Sequence, residues 1–175
     1  MSTTKNTNMT VKDGDIVEFN NANIPNGGWR NFSGGPTRFD PSNTKRYFEI
    51  FLTDDEAKIL EAHGYNVKYL TSENQSEPSQ AHLKVSVKFS KNPRYNPRIW
   101  QVRNSGRPVL LPEDLLEMLD TADFVRVKLQ IRPYDWEYGS RTGRSAEVKQ
   151  MYVAIAEDEF GSEFYPEEDE EVPFA

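Results

Sequence analysis

Between residues 125 and 132 the chain alternates without a break: Val125, Val127, Leu129 and Ile131 are separated by Arg126, Lys128, Gln130 and Arg132. Successive side chains of a β-strand leave on opposite faces, so a period of two predicts a strand with a core face and a basic face. A helix would scatter the same residues around its axis. This strand, Asp123 to Pro133, is the longest in the chain. The pattern recurs from His82 to Phe89, where Leu83, Val85, Val87 and Phe89 alternate with His82, Lys84, Ser86 and Lys88. Two strands with basic outer rows call for a sheet that covers a core on one side only.

Other strands are expected at Asp15 to Ile24, Tyr47 to Leu52, Asn66 to Thr71, Ile99 to Arg103 and Ser145 to Ala156. In the last, Lys149, Met151, Val153 and Ile155 share one side. Tyr134 to Arg144 reads as the hairpin connection before it. A short helix runs from a Thr53 or Asp54 cap to His63, with acids in its first turn and Gly64 as its stop. A second starts with Pro112 at its first position and ends at Leu119, burying Leu115, Leu116 and Leu119. Ser33 to Thr44, Ser72 to Gln80 and Lys91 to Arg98 are loops. Six to eight strands, two short helices and long connections make a mainly β chain, and a small Greek-key barrel suits it better than a βαβ sheet.

Charge divides the chain. Residues 157–175 hold nine carboxylates and no Lys or Arg, out of 28 acidic and 21 basic side chains in all, so the body that remains is slightly basic. The tail's few rings cannot bury enough surface to offset backbone entropy, which predicts a disordered acidic segment. Its end, Glu170-Glu171-Val172-Pro173-Phe174, sets an apolar tip on a charged neck, and Glu170, Glu171 and Phe174 are the candidate partner-binding residues. Residues 1–10 read as a disordered leader, which leaves one domain at 11–156. The absence of cysteine excludes thiolate metal sites and Cys nucleophiles. No apolar run is long enough to span a bilayer and the polar start has no secretory core, so a soluble, cytoplasmic protein without membrane contact is expected.

Enzyme chemistry finds little support. His63 and His82 stand apart from any metal-ligand spacing and read as surface histidines; no catalytic residue, metal or cofactor is expected. Gly27-Gly28 and Gly34-Gly35 lack the Lys-Ser or Lys-Thr of a phosphate loop. The positive signal is a sharing of segments by aromatic and basic side chains. One group is Trp29, Arg30, Phe32, Arg38 and Phe39; a second is Lys91, Arg94, Tyr95, Arg98, Trp100 and Arg103; a third is Arg132, Tyr134, Trp136, Tyr138, Arg141 and Arg144. Lys88, Arg126 and Lys128 join them from the basic strand faces. Cations neutralise phosphates while exposed rings stack on unpaired bases, so these groups point to single-stranded nucleic acid. Each ring taken alone reads as core, Trp100 above all. Two rivals stay open: an interaction protein whose acidic tail mimics DNA against a host factor, and a metal-dependent nuclease.

Trp29 to Gly34, Arg38-Phe39-Asp40-Pro41, Gly64 to Lys68 and Ile131-Arg132-Pro133-Tyr134-Asp135-Trp136 resemble segments of the bacteriophage single-stranded DNA-binding proteins, and the likeness extends from about residue 11 to 160. The resemblance implies an OB-like barrel without enzymatic activity that binds single-stranded DNA in phage replication or recombination, in the host cytoplasm. It also implies an acidic tail that docks replication and recombination proteins; single chain and homo-oligomer both remain open. In relatives with such tails the acids precede a terminal Phe, whereas here Ala175 follows Phe174, so ring and chain-end carboxylate sit on different residues.

Overall fold

The computed structural model describes residues 8–71, 79–103 and 106–156. Ten strands occur among them: β1 (Met9–Lys12), β2 (Ile16–Phe19), β3 (Arg30–Asn31), β4 (Arg46–Leu52), β5 (Lys68–Leu70), β6 (Gln80–Val87), β7 (Arg98–Val102), β8 (Pro108–Leu110), β9 (Phe124–Tyr138) and β10 (Arg141–Ile155). Helix α1 (Asp54–Ala62) follows β4, and a 3-10 helix (Glu113–Asp120) precedes β9. The chain is mainly β, and no helix among the described residues is long and apolar enough to cross a membrane.

Five strands make the barrel. β9 and β10 form an antiparallel hairpin; β10 runs parallel to β6, β6 antiparallel to β4, and β2 antiparallel to β9. The ring closes through the chain just after β2, where the Ala22 amide donates to Val127 and the Phe51 amide to Asn23, both at 2.8 Å. In chain order the pairing is therefore 1-2-3-5-4-1 with one parallel pair, the Greek-key order of an OB barrel. Two thin joints leave it partly open: the single Asn23–Phe51 bridge, and the parallel seam of Ala146 with Val85 and Glu147 with Ser86. Inward residues fill the interior, among them Val17, Phe19, Phe48, Ile50, Leu83, Val85, Val127, Leu129 and Ile131.

Several departures from the alternation pattern have local causes. Val148 pairs with Ile131 and Gln150 with Gln130, so Lys149 has no partner and forms a β-bulge. The buried positions of β10 therefore switch from Ala146 and Val148 to Met151 and Val153, and Lys149 points to solvent instead of siding with Met151. A second irregularity near Val125 leaves that residue exposed. The expected connection from Tyr134 to Arg144 is strand on both sides of a two-residue turn, Gly139-Ser140. Pro133 does not end β9, because it lies beyond the last β2 partner, at an edge position that tolerates a missing donor.

The helices follow their caps. Thr53 and Glu56 form a reciprocal capping box at α1, and Gly64, at φ 86°, ends it. In the 3-10 helix, three residues per turn align Leu116 with Leu119 against the core and leave Leu115 exposed, contrary to a three-leucine stripe. The leader expected at residues 1–10 is too long by at least two residues, since Met9 opens β1 and is fully buried. The Asp15–Ile24 strand shrinks to β2, and the loop around Trp29 contains the two-residue β3. The tail at 157–175, with Glu170, Glu171 and Phe174, lies outside the described residues.

Candidate nucleic-acid interface

Tyr47, Glu49 and Phe51 leave β4 on the outside of the barrel, opposite Ser86, Lys84 and His82 of β6. Trp29 joins them because its carbonyl accepts from the Glu49 amide at 2.8 Å, and its ring stands edge-on to Phe51 (centroids 5.1 Å) and His82 (5.4 Å). Lys84 Nζ sits 4.4 Å from the centre of the Tyr47 ring. The row continues across the parallel seam. Glu147 of β10 receives Lys88 Nζ at 3.2 Å and Arg132 Nε at 3.5 Å, and Lys88 also lies over the Tyr134 ring at 4.3 Å. Rings and cations thus alternate over four strands, from Trp29 to Tyr134.

Beyond Ile131 the β9–β10 hairpin has no β2 partner and forms an arm. Trp136 pairs with Gly143 and lies on its backbone: a Cβ at Gly143 would come within 2.2 Å of the ring, so only glycine admits this approach. Arg144 fastens the arm. Its Nε and Nη2 donate to Asp135 at 2.6 and 3.0 Å, and its Nη1 donates to Asp15 at 2.5 Å and to the His63 carbonyl at 2.9 Å. His63 Nδ1 meets the other Asp15 oxygen at 2.8 Å. Hydrogen bonds from Arg144, then from His63, hold the Asp15 carboxyl below its ordinary 3.8, and Arg144 does the same to Asp135.

Groups with depressed pKa values stabilise the fold above their unfolded pKa and lose that contribution as pH falls through the folded one. Arg144→Gln is therefore expected to lower stability at neutral pH, by a modest amount because solvent screens these exposed pairs. In urea titrations the gap between wild type and variant should begin to narrow near about pH 4, the unfolded carboxylate range, and close only as pH falls through the lower folded values, where both carboxylates are neutralised. A gap that persists at low pH would show that the ion cluster is not what fastens the arm.

Residues 9–173 match the family described as "Putative phage ssDNA-binding domain". The chain belongs to this family. It is similar in structure to the single-stranded DNA-binding protein from bacteriophage Enc34 in complex with ssDNA, at 12% identity over 90% of this chain and 96% of that one, with a TM-score of 0.55. The C-terminal truncation of the Enc34 protein gives 8% identity over 89% and 94% of the two chains, with a TM-score of 0.51. At these identities the likeness establishes the fold. No curated protein matches the sequence.

Within this phage-family fold the sequence-derived candidates separate into groups. Trp29, Lys88, Arg132 and Tyr134 share the outer row, and Trp136 lies on the arm beyond it. Arg38 and the nearly fully exposed Phe39 project from the loop between β3 and β4, Arg94 and Tyr95 from the loop before β7, and Arg141 from the arm. The Tyr95 carbonyl accepts from Arg132 at 2.7 Å, which ties that loop to the row. Arg98 opens β7, while Arg126 and Lys128 face outward farther back along β9.

Three candidates are structural. Arg30 is buried and spends its guanidinium on backbone carbonyls; Phe32 is fully buried, stacked on Phe48 at 5.1 Å; Arg144 is committed to its carboxylates. Two further readings change as well. His82 is not a surface residue but is packed against Trp29 and paired with Glu49, and Trp100, in the middle of β7, is half-buried and stacked on Tyr152 instead of lying in the core. Sequence reasoning overlooked Tyr47, Phe51 and Lys84. Their signal was the outward parity of β4 and β6, which brings two aromatic positions opposite a basic row.

Proposed function

We propose that the outer row of β4, β6, β10 and β9, with the arm, binds single-stranded DNA without strong sequence preference. One observation carries the reading: partly exposed rings alternate with cations across the face, as stacking on bases and neutralising of phosphates require. The face lies on the second and third barrel strands, where OB folds receive oligonucleotides, and the flanking β3–β4 loop and hairpin arm occupy the places of the usual clamping loops. Membership of the phage family and the DNA-bound Enc34 relative support it. Arg38, Phe39, Arg94, Tyr95, Arg98, Arg126, Lys128 and Arg141 extend the cationic and aromatic surface around the row. The protein acts in phage replication or recombination in the host cytoplasm, and its acidic tail competes with DNA and recruits partner proteins.

Binding of matched single- and double-stranded oligonucleotides over a range of salt tests the reading. Single strands should win, and Trp29→Ala should cost about 1–3 kcal/mol of affinity with the salt slope unchanged. Lys84→Ala should instead reduce the log–log salt slope by about 0.7. Equal affinity for duplex and single strand would reject stacking as the mechanism.

A further inference from the structure

Glu49 occupies the middle of the proposed DNA face, where a negative charge repels phosphate. The other carboxylate of the row, Glu147, is matched by Lys88 and Arg132. Glu49 is treated differently. Lys84, directly across the strand pair, leans on the Tyr47 ring and makes no ion pair with it. The one partner of its carboxylate among the described residues is His82, whose Nδ1 lies 2.5 Å from Oε1. The imidazole is itself held edge-on by Trp29. Oε1 is thus fixed in place, while Oε2 accepts no hydrogen bond among the described residues.

We propose that Glu49, oriented by His82, reads base edges and favours guanine over thymine within this site. The inference rests on the reading of the face as a single-stranded DNA site. Tyr47 and Phe51 flank Glu49 at a spacing of two residues, about 7 Å along the strand, so a base stacked on either ring brings its edge to the carboxylate. A carboxylate only accepts hydrogen bonds. Guanine offers it two adjacent donors, N1–H and the N2 amine. Cytosine and adenine offer one amine each, and thymine presents an N3–H between two carbonyl oxygens that the carboxylate repels. His82 is a positioning residue in this arrangement, and the phosphates are left to Lys84, Lys88 and Arg132.

The test compares an all-thymidine oligonucleotide of about 15 nucleotides, near the upper site size of one OB fold, with the same strand carrying isolated guanines, or inosines in their place. Inosine keeps N1–H and lacks the N2 amine. The full-length wild type should bind the guanine strand about five- to tenfold more tightly than thymidine, with inosine between them. Glu49→Gln, whose amide offers a donor beside its acceptor, should still bind but bring all three strands within about twofold of one another. His82→Asn, whose amide nitrogen can replace Nδ1, should keep most of the preference. Equal guanine and inosine affinities in the wild type, or an unchanged ratio in Glu49→Gln, would overturn the base reader while leaving the DNA site intact. Failure of wild type and variants alike to bind any strand would remove the site and the reader together.

Discussion

Arg30→Met is expected to destabilise the protein by about 3–5 kcal/mol, the scale for breaking a buried, fully hydrogen-bonded charge site. The guanidinium donates to the carbonyls of Ile24 (3.0 Å), Pro25 (3.1 Å), Leu119 (3.2 Å) and Ala122 (2.6 Å), and its carbon lies 3.7 Å from the centre of the Phe124 ring. One side chain thereby joins the segment after β2, the end of the 3-10 helix and the entry to β9. Burial lowers the guanidinium pKa and nearby Asp120 and Asp123 oppose that shift in part; a guanidinium nevertheless keeps its charge in a protein. Methionine fills similar volume but orphans four carbonyls, and lysine cannot reproduce the fork. Urea unfolding of the wild type, Arg30→Met and Arg30→Lys would measure the loss. Full stability together with a DNA salt slope lowered by about 0.7 would instead return Arg30 to the phosphate contacts.

Removing residues 157–175 is expected to tighten binding of single-stranded DNA about tenfold at low ionic strength. A tethered competitor acts at an effective concentration near ~1 mM, and non-specific polyanion contacts have dissociation constants near ~0.1 mM, which sets the ratio at about ten. The root of the tether is well placed for this competition. Ala156 donates its amide to Asp123 at 2.8 Å, so the nine-acid segment starts beside the entry to β9, roughly 10 Å from Arg126 on a strand that carries Lys128 and Arg132 farther along. Added salt should shrink the gain, because it screens the tail from the same cations within about 8–10 Å. Truncated and full-length proteins with equal affinity at low salt would reject self-competition and leave the tail as a hook for partners.

Much of the barrel was legible because one physical rule governs it. A sheet with one wet face leaves a period of two, and β6 and most of β9 carry that period openly, whereas the outward Tyr47 and Phe51 mask it in β4. The rule fails where geometry enters that composition does not encode. Nothing about Lys149 marks it as a bulge, yet that residue reverses the parity of everything after it in β10. The candidate site was legible by segment more than by residue: aromatic and basic groups do share segments of the surface, but Arg30 and Phe32 turn inward from a segment that also carries the partly exposed Trp29. Whether an arginine faces phosphate or a ring of carbonyls depends on what the chain brings near it from about 90 residues away, as Leu119 and Ala122 do for Arg30. His82 was misjudged for the same reason, because Glu49 and Trp29 reach it only through strand pairing.

The closure of β2 against β9 orders events during synthesis. Val17 meets Ile131, more than a hundred residues later in the chain. At about 5–20 residues per second, the apolar side chains of β2 wait several seconds or longer on the ribosome before their partner strand exists. The β9–β10 hairpin, joined by two residues, can form within about 1–10 μs of emerging. Barrel assembly is therefore gated by the last third of the chain, and a nascent fragment that stops before β9 exposes Ile16, Val17 and Phe19 as an unpaired, aggregation-prone edge.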